Sequence, residues 1–317
     1  MTQLEKPRWL SWLALITVWV VWGSTYLGIR AAVDTIPPLL MAGFRFLVAG
    51  VLLLAIVGPA NASGEQRPTW RHIRSAFIIG ALLLAGGNGL LSVGEKHVDS
   101  GLAALIVATV PVWMVLINAA VTRTPVSRAV ILALVLGTIG IGVLLGGPGG
   151  TVHLGDALLI LVASLFWASG SVYARDAELP ASLAMVTALE MIAGGLLLIF
   201  IAAVSGEFGW LRVANISTSS LVGLGWLIFA GSMVAFTAYV YANKTLPNDI
   251  VASYAYVNPV VAVVIGSVAG GEAVTLLQLL GGAVIVSSVV VLALGRRQRW
   301  SAPPPVRNYP CEPAAPS

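Results

Sequence analysis

The chain has 317 residues, of which 9% are charged and 58% hydrophobic, with a net charge of +4 and a mean hydropathy of +0.94. Soluble chains carry roughly 25% charged residues, so this one lacks the polar surface that a cytosolic enzyme, a secreted disulfide domain or a disordered protein needs. A single cysteine, Cys311, leaves no intrachain disulfide and no Cys-based metal site.

Ten apolar segments follow one another, at 10–29, 38–58, 74–94, 101–121, 129–146, 155–174, 183–204, 219–242, 250–269 and 275–295. Each is close to the ~20 residues that cross a bilayer as a helix, and none alternates at period 2 as a barrel strand would. The first is too long for a signal-peptide core and no small-residue cleavage site follows it, which predicts a retained helix. Turn-forming residues separate the segments, among them Pro37-Pro38, Gly58-Pro59, Gly147-Pro148, Pro180 and Pro247-Asn248. The breaks are too short for a soluble domain. The Pro-rich end, 296–317, reads as a disordered cytoplasmic tail.

Basic residues alternate from side to side. With the N-terminus in the cytoplasm, that side holds Lys6, Arg8, Arg67, Arg71, Arg74, Arg123, Arg128, Arg175, Lys244, Arg296, Arg297, Arg299 and Arg307. The other side holds Arg30, Lys96 and Arg212, with Arg45 left inside a span. This asymmetry predicts an even number of spans and both termini in the cytoplasm.

The two halves also align. At an offset of 145, Trp22 matches Trp167, Ser24 matches Ser169, Arg30 matches Arg175, Arg45 faces Glu190 and Gly50 matches Gly195. After a three-residue shift, Lys96 matches Lys244 and Pro111 matches Pro259. Five helices per half is an odd number, so the second half enters the membrane from the opposite side. Inverted repeats suit alternating access, because two halves of opposite orientation can exchange roles. A channel needs only one continuous water path; it and a scaffold are the rival readings.

The stretches WGSTYLGIR (22–30), PPLLMAGFRFLVAGVLLL (37–54), GNGLLSVGEKHVDSGLAALIVATVP (87–111), WASGSVYARDAELP (167–180) and ASYAYVNPVVAVVIGSVAGGE (252–272) resemble the EamA-type drug/metabolite transporters, and among them the YedA-like inner-membrane branch. The resemblance implies ten helices as two inverted five-helix EamA repeats, here 10–146 and 155–295, around a central cavity. It also implies a multi-pass protein of the bacterial inner membrane that exports small metabolites, amino acids or drug-like solutes. Members often carry an acid between the fourth and fifth helices of a repeat. Glu272 fits in the second half, whereas the first reads TRTP (122–125).

Polar residues within the spans are the site candidates, because a charge at a helix centre costs ~2.5–3.5 kcal/mol on insertion scales. Arg45 and Glu190 each lie about eight residues into a helix, from opposite sides. They are read as a charge pair bracketing a central site, with a structural ion pair and a snorkelling arginine as the plainer readings. Glu95 is a candidate proton-linked or gating group. Asn88, Asn118 and Asn258 are intramembrane amides that must find partners. Trp22, Tyr26, Trp113, Trp167, Tyr239, Tyr254 and Tyr256 are candidates for an amphipathic pocket, with helix packing as the alternative. Ser24 and Ser169 join them as a repeat-related pair. Pro111 and Pro259 are candidate hinges or static kinks. Asp156, Asp249 and Glu272 read as caps of their own helices. Trp9, Trp12, Trp70, Trp210 and Trp300 read as interfacial anchors.

No GxxxxGK[ST] supports ATP drive, and no HExxH or GxSxG supports an enzyme. No cofactor, metal or nucleic-acid partner is expected. The expected partners are the bilayer, a small solute and, through Glu95, the proton.

Overall fold

The computed structural model describes residues 8–61, 68–123, 125–126, 128–145, 154–180, 182–246, 251 and 253–300. Cys311, Asp249, the stretch 301–317 and the junction at 146–153 lie outside these, as does the side chain of Tyr256. Seven helices are long and apolar enough to cross a membrane: α1 (Trp9–Val33), α2 (Pro38–Val57), α3 (Trp70–Gly94), α4 (Ser100–Thr122), α6 (Leu154–Asp176), α7 (Leu183–Val204) and α8 (Thr218–Ala242). Three helices with shorter apolar cores complete the bundle: α5 (Arg128–Leu145), α9 (Tyr254–Ala269) and α10 (Leu276–Trp300). The all-helical membrane fold is thus as the hydropathy implied, and observed limits fall within about four residues of the apolar runs.

The surface is inverted relative to a soluble protein. Phe44, Val51, Phe200 and Val268 are all more than half exposed, while Arg45, Glu190, Asn258 and Ser232 are buried. Lipid tails solvate the first group; the second must satisfy its polar atoms inside the bundle.

Helix pairing obeys the internal repeat. The helices α2 and α7, α4 and α9, and α5 and α10 pack against their own counterparts. Several of the larger remaining contacts come in exchanged pairs: α3 on α6 mirrors α8 on α1, α4 on α6 mirrors α9 on α1, and α2 on α8 mirrors α7 on α3. Exchanging the halves therefore returns the main helix pairs, as a pseudo-two-fold axis requires, while among the described residues the packing of α1 on α4 has no such counterpart. At the α2–α7 crossing the backbones nearly touch. A Cβ on Gly195 would sit 2.6 Å from the Leu47 amide nitrogen and 3.0 Å from the Gly43 carbonyl, so only glycine permits this approach.

Three helices contain wide turns. Gly80–Gly89 of α3 and Leu227–Phe236 of α8 are π-helical at related positions, and Val18–Trp22 forms a shorter π segment in α1. Its counterpart α6 is α-helical throughout. Helix α4 breaks at Ala108–Thr109, two residues before Pro111, whereas Pro259 is carried inside α9. The matched prolines therefore act differently: one opens a new helical segment, where its missing N–H is harmless, and the other sits in a helix interior.

The two ends of the bundle can be told apart by their connections. The odd rim carries the first, third, seventh and ninth; the even rim carries the second, fourth, sixth and eighth. At the even rim, Thr69 caps α3 in a capping box with His72, and Ser182 caps α7. Asp156 lies in the first turn of α6, as expected of a dipole-complementing acid, with its Oδ2 3.4 Å from Nδ1 of His97. Glu272 differs from its expected role. It caps α4 rather than its own helix, its carboxylate accepting from the Ser100 backbone N–H at 3.0 Å, the Ser100 hydroxyl at 2.8 Å and the Gly101 N–H at 3.3 Å.

Candidate functional site: two chambers and an aromatic partition

Two hollows lie along the bundle axis. The central chamber, of about 70 Å³, is bounded by α1, α2, α3, α4, α6, α8 and α9. A few waters fill such a space. The second is a vestibule of about 630 Å³ at the even rim, a size typical of ligand pockets. It reaches from the Arg175–Leu183 connection inward to Glu190, Pro111 and Tyr239.

Phe236 and Tyr254 line both hollows and so form their common wall. They belong to one aromatic cluster centred on Trp22. Its ring lies 4.8 Å from Tyr239, 5.6 Å from Tyr254, 5.7 Å from Trp167 and 6.1 Å from Phe236, the Trp167 and Tyr254 contacts being edge-to-face. The Trp22 indole donates to the Gly231 carbonyl in the π segment of α8 at 3.2 Å. Trp22 itself ends the π segment of α1. Repeat-related Trp22 and Trp167 thus meet across the pseudo-axis.

Arg45 lines the central chamber and is 4% exposed. Its Nε donates to the Ser232 hydroxyl at 2.9 Å, and its guanidinium carbon lies 4.6 Å from the centre of the Phe46 ring. Its Nη1 is buried without a partner. A Cβ on Gly231 would come within 3.1 Å of Nη2, so glycine there leaves room for the guanidinium. Glu190 is equally buried but lines the vestibule. Among the described residues the ion pairs are Arg71–Glu178 and His97–Asp156, so Arg45 and Glu190 are not joined. They occupy successive chambers, one on each side of the aromatic wall.

The other candidates divide. Tyr26, Asn88 and Asn258 face the central chamber with Arg45, Trp22 and Trp167. In the amide orientation that satisfies its surroundings, Asn258 donates to the carbonyls of Trp19 (3.1 Å) and Tyr254 (3.3 Å), tying α9 to the wide turn of α1. Tyr239 and Pro111 border the vestibule. Ser24, Ser169 and Trp113 line neither hollow. Ser24 accepts from the Trp226 indole at 3.0 Å, and Ser169 donates to the Leu165 carbonyl of its own helix. Their shared position in the repeat is a packing feature. Sequence reasoning passed over Phe236 and Ser232, an ordinary apolar residue and an ordinary serine until the fold places them on the partition and on Arg45.

Polar bonds close the odd rim. Besides Glu272 on α4, Glu207 accepts from the backbone N–H groups of Leu39 and Leu40 at 3.2 and 2.9 Å, capping α2 from the seventh connection. Arg30 donates to the carbonyls of Lys96 (2.6 Å) and Glu95 (3.4 Å). Thr35 donates to Ser220, which donates to the Ala31 carbonyl. Glu95 is fully buried beneath this layer, neither carboxylate oxygen having a partner. Burial pushes its carboxyl well above the usual carboxylate range, the Glu272 charge adding to the shift while Arg30 and Arg45 oppose it. Nearby Asp99 is raised for the same first reason.

The EamA-like transporter family matches residues 9–146 and 155–294. A relative named "Uncharacterized inner membrane transporter YedA", from Escherichia coli (strain K12), is 39% identical over 284 residues, covering 89% of this chain and 90% of the relative. A second, from Streptantibioticus cattleyicolor and named "Probable terminal-alkyne amino-acid exporter", is 30% identical over 310 residues, covering 95% and 99%. A protein of solved crystal structure, 20% identical, shares the fold with a TM-score of 0.63 over 93% of this chain and 100% of its own.

Proposed function

The chain belongs to the EamA-like transporter family, and from that premise we propose that it is a secondary exporter of small amphipathic solutes, acting by alternating access in the bacterial inner membrane. The observation that carries this reading is the pairing of a closed odd rim with a vestibule that runs from the even rim to a polar centre. The symmetric helix pairing supplies the second state, because exchanging the roles of the halves opens the other end. A relative named as an inner membrane transporter supports the location, and one named as an amino-acid exporter supports the direction and the size of the cargo.

The basic residues assign the even rim, with both termini, to the cytoplasm. In that orientation the vestibule collects solute from inside the cell. The two EamA repeats, 10–146 and 155–295, are the moving halves. Glu95, buried and unpartnered in the closed odd rim, is the group that takes up a proton. The test is flux in proteoliposomes with and without a pH gradient. Saturable efflux that speeds up with solute on the far side supports the exporter; unsaturating conductance supports a channel and ends this reading. Reporter fusions at 147–154 should appear opposite the two termini.

A further inference from the structure

An arginine buried in a membrane bundle is ordinarily satisfied by a carboxylate or by several carbonyls. Arg45 has neither. One of its five N–H donors reaches Ser232, and Nη1 keeps its two donors buried without a partner. The lining of the central chamber contains no aspartate or glutamate, so Arg45 is its one formal charge. Glu190 is on the vestibule side of the aromatic wall, and Glu95 lines neither hollow. The rest of the chamber offers aromatic faces from Trp22, Tyr26, Trp167 and Tyr254, with the Asn88 amide beside them.

Resting on the transporter reading, we propose that Arg45 is the docking point for a carboxylate on the transported solute, whose apolar or aromatic body lies against Trp22, Tyr26 and Trp167 once the Phe236–Tyr254 wall moves aside and joins the chamber of about 70 Å³ to the vestibule. The substrate class is then small aryl or alkyl monocarboxylates, amino-blocked amino acids included. An ammonium group adds nothing, because the chamber provides no carboxylate to receive it. The solute's oxygens meet the guanidinium N–H groups left without a partner, while Nε stays on Ser232. Ser232 is thus a positioning residue that fixes the plane of the fork.

The purified full-length protein in nanodiscs is tested with five matched compounds: 3-phenylpropanoate, N-acetylphenylalanine, phenylalanine, 3-phenylpropanamide and 2-phenylethylamine. Binding is read by thermal shift and by quenching of tryptophan fluorescence. All three carboxylates should bind, the blocked one as well as phenylalanine within about threefold; the amide and the amine should bind at least about tenfold more weakly. R45K should weaken the carboxylates about tenfold by losing the planar fork, and R45Q should abolish them. S232A should raise the apparent Kd with less effect on maximal flux. Preference for the amine, or equal binding of acid and amide, overturns the carboxylate site. The wild-type compound series distinguishes these outcomes even if R45Q fails to reach the membrane. Saturable, R45Q-insensitive transport of 2-phenylethylamine would sink this proposal and leave the exporter standing. Conductance without saturation would sink the exporter, while Arg45-dependent binding of 3-phenylpropanoate would still uphold the site.

Discussion

The two rims are built from the same helical plan, yet among the described residues one is tied across the halves by polar bonds and the other opens onto the vestibule. At the odd rim, Glu207 and Glu272 lay carboxylates on the N-termini of α2 and α4, each crossing from the second half of the chain to the first. At the even rim the ion pair between described residues is Arg71–Glu178, with both side chains more than half exposed. Charge-assisted bonds to buried helix ends contribute roughly 1.5–3 kcal/mol each, and an exposed pair about 0–1. On the proposed alternating-access mechanism, the repeat supplies both states. The departures from the repeat, such as GGE at 270–272 against TRTP at 122–125, explain which is favoured.

That contrast can be broken most directly at Glu272. Replacing it by alanine in a C311S background should shift the balance towards an open odd rim by about 2–4 kcal/mol, a change of roughly thirtyfold or more. A cysteine at Ile29 should then react far faster with an impermeant thiol reagent added from the odd side. Unchanged labelling would mean that Glu272 only anchors a loop. Gly195→Val tests the scaffold that both rims share. Its Cβ would overlap the α2 backbone, so folded yield should fall sharply with no preference for either state. Normal yield and melting temperature would show that α2 and α7 can part without cost.

Acidity sharpens the comparison further. The closed rim holds the Glu95 and Asp99 carboxyls above their ordinary range, through burial first, whereas opening to water returns them towards it. The stabilisation of the closed rim is complete below the usual carboxylate range and is lost as pH rises through the raised pKa. Labelling at position 29 should therefore increase with pH, and E95Q should flatten most of that rise. Burial first, then Glu272, Arg30 and Arg45, act on this group, and its charge acts in turn on Tyr26. A pH profile that E95Q leaves intact would move the titration to another residue. The smallest effect belongs to the even rim: R71A should change stability by no more than about 0.5 kcal/mol and leave labelling unaltered.

Helix limits and the candidacy of Trp22 and Trp167 as a repeat-related pair could be read from hydropathy and from the internal repeat, whereas their edge-to-face contact at 5.7 Å comes from the fold. Those signals are local, or come twice. The depth difference of ~8 Å between Arg45 and Glu190 was legible from their places in opposed helices, but not whether they touch, nor the aromatic wall that stands between them. Glu272 was legible as a cap but not as the cap of α4, since the chain does not record which helix end a loop will reach. The wide turns of α3 and α8 left no composition signal, because a shift of hydrogen-bond register changes no side chain. Ser24 and Ser169, matched in the repeat, line neither hollow here: Ser24 accepts from Trp226 and Ser169 donates to Leu165, partners the repeat did not record.

The lopsided shape of the vestibule bears on how the protein could be blocked. In the proposed orientation, with the even rim facing the cytosol, a polar inhibitor applied to intact cells meets only the odd rim. One that diffuses through the bilayer finds a hollow of about 630 Å³ with Glu190 at its depth and Arg175 at its mouth. Useful antagonists of the resting protein are therefore permeant molecules, whereas impermeant ones gain purchase only while cargo is being released.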